Sequence, residues 1–147
     1  MANNLREFLE EFDVQKKATD AGVAMHEKLR RIRVLGDCVK VDSELKNHIE
    51  SCDGLAVFFT ENAQTEVPVA GIINGYFVSR RIDRLVVDDE KKVVRILDYK
   101  TDVDKTKYRE KYIIQLGEYE KLMHQIYPEY KIEKYILWLH DWTLEKI

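Results

Sequence analysis

The chain has 147 residues, a length typical of one domain, and hydrophobic residues make up 45% of it. This composition excludes a disordered chain, and a chain of this size can bury a core without disulfides. The 24 basic and 27 acidic side chains give a formal charge of −3, which excludes binding to nucleic acid by bulk charge alone. Any contact with phosphate therefore requires a local basic patch or a bound cation.

The cysteines and the apolar segments exclude further classes of protein. Cys38 and Cys52 form no CxxC motif, which excludes a structural zinc site or a four-cysteine iron–sulfur cluster within this chain. Residues 1–12 are acidic and amphipathic, unlike a signal peptide. No stretch approaches the ~20 apolar residues of a membrane span. We therefore expect one soluble domain over residues 1–147, in the reducing cytoplasm and without membrane contact.

The N-terminal third of the chain has the hydrophobic period of helices. Its apolar residues predict a short amphipathic helix over residues 5–12. A second helix is predicted over residues 14–35, where a Gly-Asp pair ends it. An Asp-Ser pair at 42–43 predicts the start of a third, short helix that ends near residues 52–54.

The middle of the chain is rich in Val, Ile, Phe and Tyr, which predicts strands. The predicted strands are residues 55–60, 67–75, 76–87 and 93–100. The polar residues 88–92 separate the last two strands and predict the loop of an antiparallel hairpin.

A helical period returns after Asp102 and predicts a helix from about Lys107 to Tyr127, which Pro128 ends. Residues 131–140 predict a final strand. Because a helix separates this strand from the one before it, we expect the two to pair in parallel. The element order therefore predicts one mixed α/β domain.

The strongest chemical signal lies at the end of the predicted strand 93–100. Asp98 and Lys100 point to one face of this strand, because side chains alternate, and a carboxylate beside an amine is poor material for a core. Paired positions in the predicted hairpin sum to about 180, which brings Asp83 almost opposite Asp98. Two adjacent carboxylates repel unless a cation lies between them, so the pattern indicates a divalent metal site with oxygen ligands.

Such a site would favour metal-assisted hydrolysis of phosphodiesters. Mg²⁺ held by carboxylates keeps several waters, accepts a phosphate oxygen as a ligand and lowers the pKa of a bound water. Lys100 beside it would orient or deprotonate that water, or neutralise charge in the transition state.

A series of short blocks in the chain resembles a known family. The blocks are Gly22-x-x-x-His26, Glu66-Val67-Pro68, Ile82-Asp83-Arg84, Asp98-Tyr99-Lys100-Thr101 and Gln115-Leu116-x-x-Tyr119. In this order and spacing they resemble the PD-(D/E)xK nucleases of the RecB type, especially the C-terminal nuclease domain of AddA-like helicase–nucleases. The resemblance implies a restriction-endonuclease-like core, with a mixed central sheet of about four to five strands flanked by helices.

The resemblance also implies roles for individual residues. It implies metal ligation by His26, Asp83, Asp98 and the carbonyl of Tyr99. It implies Lys100 as the catalytic lysine, Gln115 and Tyr119 as residues that line the site and contact the DNA backbone, and Glu66 as a supporting acid.

The activity that the resemblance implies is that of a Mg²⁺- or Mn²⁺-dependent DNase. Its expected substrates are single-stranded DNA ends, and its expected setting is recombination and double-strand-break repair. The chain has no GxxxxGK[ST] loop, so a helicase motor would lie elsewhere in the same protein or in a separate partner.

Simpler interpretations exist for the residues of the site. His26 alone is typical of a core histidine, and Asp98 with Lys100 is typical of a surface ion pair. Gln115 and Tyr119 lie one helical turn apart and also fit a packing stripe.

Other features have two interpretations as well. Glu66 also fits a charge at the edge of a strand. The basic run over residues 105–111 fits either a solvated helix face or a track for a DNA backbone. Trp138 and Trp142 fit core and edge cover better than a platform for stacking bases. For the whole domain, the alternatives to a DNase are a non-catalytic DNA-binding or subunit-contact module and a hydrolase of RNA.

Overall fold

The structure, a computed structural model, describes residues 5–10 and 20–147. Its helices are α1 (5–10), α2 (Asp20–Arg30), α3 (Cys38–Val41), α4 (Glu44–Ser51) and α5 (Arg109–Ile126). Its strands are β1 (Ala63–Ile73), β2 (Tyr76–Asp88), β3 (Val93–Lys100), β4 (Lys131–Trp138) and β5 (Thr143–Lys146). In the part of the chain that is described, no helix is both long and apolar enough to cross a membrane.

The strands form one sheet of five strands in the order β1-β2-β3-β4-β5. The β1–β2, β2–β3 and β4–β5 pairs are antiparallel, whereas β3 and β4 pair in parallel. The parallel pair requires a crossover, and α5 supplies it. The predicted mixed α/β class, the hairpin around residues 88–92 and the parallel final pair are all confirmed.

A two-residue turn joins β1 to β2. Ile73 pairs with Tyr76, and the residues between them, Asn74 and Gly75, have φ values of 51° and 82°. Left-handed backbone at both central positions is typical of the tight hairpin turns that match the twist of paired strands, and Asn-Gly adopts it at little cost. The turn fixes the β1–β2 register, and with it the position of Glu66 opposite β2.

Each face of the sheet carries its own hydrophobic core. The face covered by α5 packs residues that include Ile82, Leu85, Ile96, Leu116 and Trp138. The opposite face, with α2, α3 and α4, packs residues that include Leu29, Phe58, Val86, Leu97 and Leu137. The end of β3 lies between these two cores, and this is where the candidate site is found.

Some predicted elements were wrong. Residues 55–60 are not a strand: Ala56–Phe58 form a turn of 3₁₀ helix, and Phe58 at its end is buried in the core below α2. This segment is not part of the five-stranded sheet, and its buried apolar side chains pack into the core instead. The helix predicted over 14–35 ends at Arg30, and its first part, 14–19, lies outside the described residues, as do 11–12 of the first predicted helix.

A buried ion pair joins α5 to β2 on the α5 face. The Nε atom of Arg80 lies 2.5 Å from Oε1 of Glu118, and the two side chains are 4% and 9% exposed. We expect Glu118→Gln to lower the free energy of unfolding by about 3 kcal/mol, because the buried guanidinium loses its closest carboxylate. Its other carboxylate partner, Glu10, is 52% exposed and lies 3.8 Å from Nη1. The measurement is urea denaturation.

The control on the same helix is Glu120→Gln. Glu120 pairs with Lys134 at 2.7 Å, but its side chain is 37% exposed, so the expected loss is below about 1 kcal/mol. Equal losses for the two variants would contradict this account of the buried pair.

Candidate metal centre and active site

A helix and two neighbouring strands bring a possible metal-ligand set together. One ligand atom each from His26 on α2, Glu66 on β1 and Asp83 on β2 lie within 4.8 Å of one another. The Nδ1 atom of His26 lies 3.7 Å from Oδ1 of Asp83, and these two side chains are buried, with Glu66 half-buried. An imidazole and two carboxylates in so small a space, largely shielded from water, form a donor set suited to a divalent cation.

The backbone is unusual at Glu66. Thr65 pairs with Arg84 and Val67 pairs with Ile82, so Glu66 lies directly opposite Asp83 in the register. Its φ of 51° is left-handed, which a glutamate in a strand rarely adopts. Such a conformation costs free energy and is maintained only where the surroundings fix it, so the outlier itself marks this position as a candidate for function.

Strand β2 changes phase at Asp83. Ile82 and Leu85 both belong to the core below α5, although a regular strand would send them to opposite faces. Arg84 and Val86 face the other core. The alternation of side chains along β2 is therefore broken at Asp83, and its carboxylate lies near His26 of α2 and Glu66 of β1.

Tyr99 closes the site from β3. Its backbone N–H donates to Oδ2 of Asp83 at 2.9 Å, so Asp83 replaces the ladder bond that β2 would have supplied. The carbonyl of the next residue, Lys100, accepts from Leu139 at 2.8 Å on the β4 side. Successive residues of a strand turn their backbone groups to opposite sides, so the Tyr99 carbonyl faces β2, as a metal ligand there would.

The Tyr99 side chain is buried beside His26. The two rings meet edge to face with their centroids 5.2 Å apart, and burial raises the pKa of the phenol. Tyr99 therefore stays protonated at neutral pH, and its hydroxyl is both a donor and an acceptor.

Asp98 and Lys100 form a second, fully buried group on the α5 face. Nζ of Lys100 lies 2.6 Å from Oδ2 of Asp98, and the side chains are 0% and 1% exposed. The sequence predicted Asp98 as a ligand beside Asp83, but Asp98 is not in the group of close ligand atoms. The reason is that Asp98 and Lys100 share a face of β3, whereas Asp83 turns toward α2. Glu66, predicted only to support the site, lies in the group instead.

Gln115 and Tyr119 extend this second group along α5. Lys100 donates to Oε1 of Gln115 at 2.8 Å, and Nε2 of Gln115 donates to the Tyr119 hydroxyl at 3.0 Å. The Tyr119 hydroxyl in turn donates to the carbonyl of Arg81 at 3.2 Å. Both side chains are 1% exposed, so their contact with the rest of the site runs through Lys100.

Tyr112 covers the other side of the ammonium. Nζ of Lys100 lies 4.0 Å from the centroid of its ring, and its hydroxyl donates to the Asp102 carboxylate at 2.7 Å. Burial and this hydrogen bond raise the pKa of Tyr112 well above its usual range. The charge of Lys100 is thus solvated by a carboxylate, an amide oxygen and an aromatic face.

An open cleft of about 560 Å³ leads to the ligand set. His26, Glu66, Arg30 and Arg81 are among its lining residues. Arg30 is paired with Glu27 at 2.5 Å, whereas Arg81 is exposed and, within the described ranges, makes no ion pair. Neither Arg30 nor Arg81 was predicted from the sequence as a site residue. For Arg81 the signal in the sequence was the Arg80-Arg81 pair just before Asp83, since a cation next to a predicted metal site fits a phosphate.

Two cations of the basic run over residues 105–111 are paired with carboxylates. Nζ of Lys105 lies 2.6 Å from Oδ2 of Asp141, and Arg109 pairs with Glu145. Trp138 is fully buried and Trp142 is half-buried, as expected for core and edge cover.

Comparisons with known proteins provide no family for this chain. No model of a known protein family matches it, and no curated protein matches it in sequence.

Proposed function

We propose that this protein is a metal-dependent nuclease that hydrolyses phosphodiester bonds of DNA. The observation that supports this most is the convergence of ligand atoms of His26, Glu66 and Asp83 within 4.8 Å. The buried pair of Asp98 and Lys100 lies on β3, the strand that pairs with the strand of Asp83. Two carboxylates at this distance repel each other, and partial burial increases the cost. A divalent cation would offset that cost, which gives these residues a chemical reason to lie together.

The donor set fits Mg²⁺ or Mn²⁺. His26, Glu66 and Asp83 would hold the ion, with the Tyr99 carbonyl facing the same space. The imidazole favours Mn²⁺ over Mg²⁺, because nitrogen ligands suit first-row transition metals better than they suit Mg²⁺. When bound, such an ion supplies a lowered pKa for a coordinated water and stabilises charge on the phosphoryl oxygens.

The other residues of the site have roles that follow from their contacts. Arg81, exposed on the cleft, would bind a phosphate next to the scissile one. Lys100 would stabilise the negative charge that develops on the phosphate, and Gln115 would fix the direction of its ammonium. Asp98 lies against this ammonium, with its Oδ2 2.6 Å from Nζ, and provides the balancing negative charge.

The substrate and setting in this proposal come from the resemblance to the RecB-type nucleases. On this basis the protein would have a restriction-endonuclease-like core and would act on single-stranded DNA ends. A helicase motor would lie in the same protein or in a partner. The protein would act in the cytoplasm, in recombination and double-strand-break repair. The two cysteines are free and buried, which agrees with a reducing compartment.

The experiment that tests the proposal measures cleavage of end-labelled single strands. DNA and RNA strands of one sequence are incubated with the protein and Mg²⁺, Mn²⁺ or EDTA. We expect metal-dependent cleavage of DNA, faster with Mn²⁺, and none in EDTA. Cleavage of RNA alone would show that the substrate is RNA and not DNA. Cleavage that persists in EDTA would refute the metal-dependent mechanism.

Arg81 allows a separate prediction about phosphate binding. We expect Arg81→Ala to weaken binding of single-stranded DNA at all sequences and to reduce the salt slope of log K by about one phosphate contact. The measurement is fluorescence anisotropy at several salt concentrations in EDTA, so that the strand stays intact. The control is Lys91→Ala, an exposed cation in the β2–β3 loop, which should leave the slope unchanged. An unchanged slope for Arg81→Ala would remove Arg81 from the DNA path.

The burial of Lys100 favours a second candidate function, a non-catalytic DNA-binding or subunit-contact module. A lysine that is 0% exposed and held by Asp98 and Gln115 contributes to stability whether or not a reaction takes place. In this alternative the ligand set and Arg81 bind the DNA backbone without cutting it. Binding of DNA and Mn²⁺ without cleavage would favour this function over the nuclease.

A further inference from the structure

A buried guanidinium with neutral partners lies behind the metal-ligand set. Arg84 is 0% exposed. Its Nε donates to the Tyr99 hydroxyl at 2.8 Å, and its Nη1 donates to the carbonyl of Phe58 at 2.8 Å. Its Nη2 donates to the carbonyls of Leu29, at 3.0 Å, and Ile32. Within residues 5–10 and 20–147, none of its hydrogen-bond acceptors is a carboxylate.

The surroundings solvate this charge without an anion. The last carbonyls of a helix lack partners within the helix and carry the negative end of its dipole, so the end of α2 attracts a cation. The carbon Cζ of Arg84 also lies 3.9 Å from the centroid of the Phe59 ring. A fork of several donors is needed to bind a helix end, a 3₁₀ turn and a phenol together, which a lysine cannot replace.

These partners lead directly to the proposed metal ligands. Leu29 lies one helical turn after His26, on the same side of α2. Tyr99 contacts the His26 ring and donates its backbone N–H to Asp83. Arg84 itself follows Asp83 in the chain. One guanidinium therefore connects the helix of His26, the strand of Asp83 and the strand of Tyr99.

We propose that Arg84 is a positioning residue, which holds the His26 imidazole and the Tyr99 backbone in register with Asp83. It contacts neither the ion nor the substrate, and it acts by fixing the end of α2 to β2 and β3. The proposal rests on the proposed function for its metal, but its structural part concerns the metal-free protein. Partners of this kind commonly change metal affinity by about 10–100-fold when they are removed.

The test uses Arg84→Lys and Tyr99→Phe. The first keeps the charge and loses the fork, and the second keeps the ring and loses only the hydroxyl that Arg84 binds. Arg95→Lys is the control, since Arg95 is a half-buried arginine on β3 with the carboxylates of Asp88 and Glu133 as partners. Circular dichroism first establishes that each variant is folded.

Two readouts are measured on each protein. Calorimetric titration with Mn²⁺ gives the dissociation constant, and NMR of the histidine ring protons reports the environment of His26 without metal. The chain has four histidines, so the His26 signal is assigned with His26→Gln. We expect about tenfold weaker Mn²⁺ binding and a shifted or split His26 signal in Arg84→Lys, with smaller changes of the same kind in Tyr99→Phe. The control should match the wild type.

The outcomes separate the positioning role from the proposed function. An unchanged His26 signal together with an unchanged Mn²⁺ affinity in both variants would overturn the positioning role. If the wild type binds no Mn²⁺ and the His26 signal still shifts, the positioning role holds and the metal-dependent function fails. If it binds no Mn²⁺ and the signal stays the same, both fail. If Arg84→Lys does not fold, Tyr99→Phe decides by the same two readouts.

Discussion

Replacement of Lys100 by methionine is expected to abolish cleavage and to lower the free energy of unfolding by about 3–5 kcal/mol. Methionine matches the length of the lysine stem, so the substitution leaves little empty volume and loses little stability for that reason. The large cost arises because Asp98, 1% exposed, loses the ammonium 2.6 Å away and must either stay ionised or take up a proton. Urea denaturation at neutral pH measures the stability, and hydrolysis of labelled single-stranded DNA measures the activity.

A double variant separates these two effects. In Asp98→Asn with Lys100→Met, the orphaned carboxylate is gone, and most of the lost stability should return although cleavage does not. Lys146→Met is the surface control: this lysine pairs with Glu133 at 3.0 Å but is 54% exposed, so its loss should cost less than about 1 kcal/mol. If the double variant is as unstable as Lys100→Met, the cost does not come from the unpaired Asp98 charge. If Lys100→Met still cleaves, Lys100 is not catalytic.

The elements that the sequence predicted well are those whose local pattern matches their packing. The β2–β3 hairpin has apolar residues directly on each side of a polar loop, so its register followed from the position of the loop. Arg84 pairs with Leu97, a sum of 181 against the predicted sum of about 180. Helix α5 likewise follows its hydrophobic stripe and ends before Pro128. In both cases local preference and tertiary packing favour the same structure.

The elements that the sequence did not predict depend on contacts distant in the chain. The 3₁₀ turn at 56–58 buries Phe58 in the core, whereas Ala56 and Val57 are exposed. Arg84 binds the Phe58 carbonyl, which keeps this segment out of the sheet. Strand β5 has four residues and no clear alternation, so pairing with β4 decides its conformation. The hydrophobic period of the sequence alone predicts neither the 3₁₀ turn nor strand β5.

The candidate site shows the same division. Asp83, Asp98 and Lys100 were predicted because strand alternation and hairpin register are local rules. The sequence did not predict that Asp83 and the Asp98–Lys100 pair lie in two separate groups. This separation depends on the change of phase at Asp83 and on the left-handed backbone of Glu66. Such departures from regular strand geometry are expected at sites that serve function, where stability is given up for the arrangement of side chains.

Asp83→Asn is expected to reduce cleavage by about a thousandfold, which corresponds to about 4 kcal/mol of transition-state stabilisation. Asparagine keeps an oxygen that accepts the N–H of Tyr99, now at 2.9 Å, so the strand ends stay together. What is lost is the negative charge that would balance a divalent ion between His26 and Glu66. Metal-free stability should be unchanged or higher, because one of two repelling carboxylates is neutralised.

Stability in the presence of metal gives this variant a readout that does not depend on catalysis. At free Mn²⁺ of about 100 times the dissociation constant, the wild type should gain about 2.7 kcal/mol, and a variant that binds a hundredfold more weakly should gain about 0.4 kcal/mol. Asp88→Asn, at the far end of the same strand and paired with Arg95, should respond to Mn²⁺ like the wild type. An Asp83→Asn protein with the full gain in stability would show that the ion binds without this carboxylate. In that case the cluster of His26, Glu66 and Asp83 is not the metal centre, even if cleavage falls.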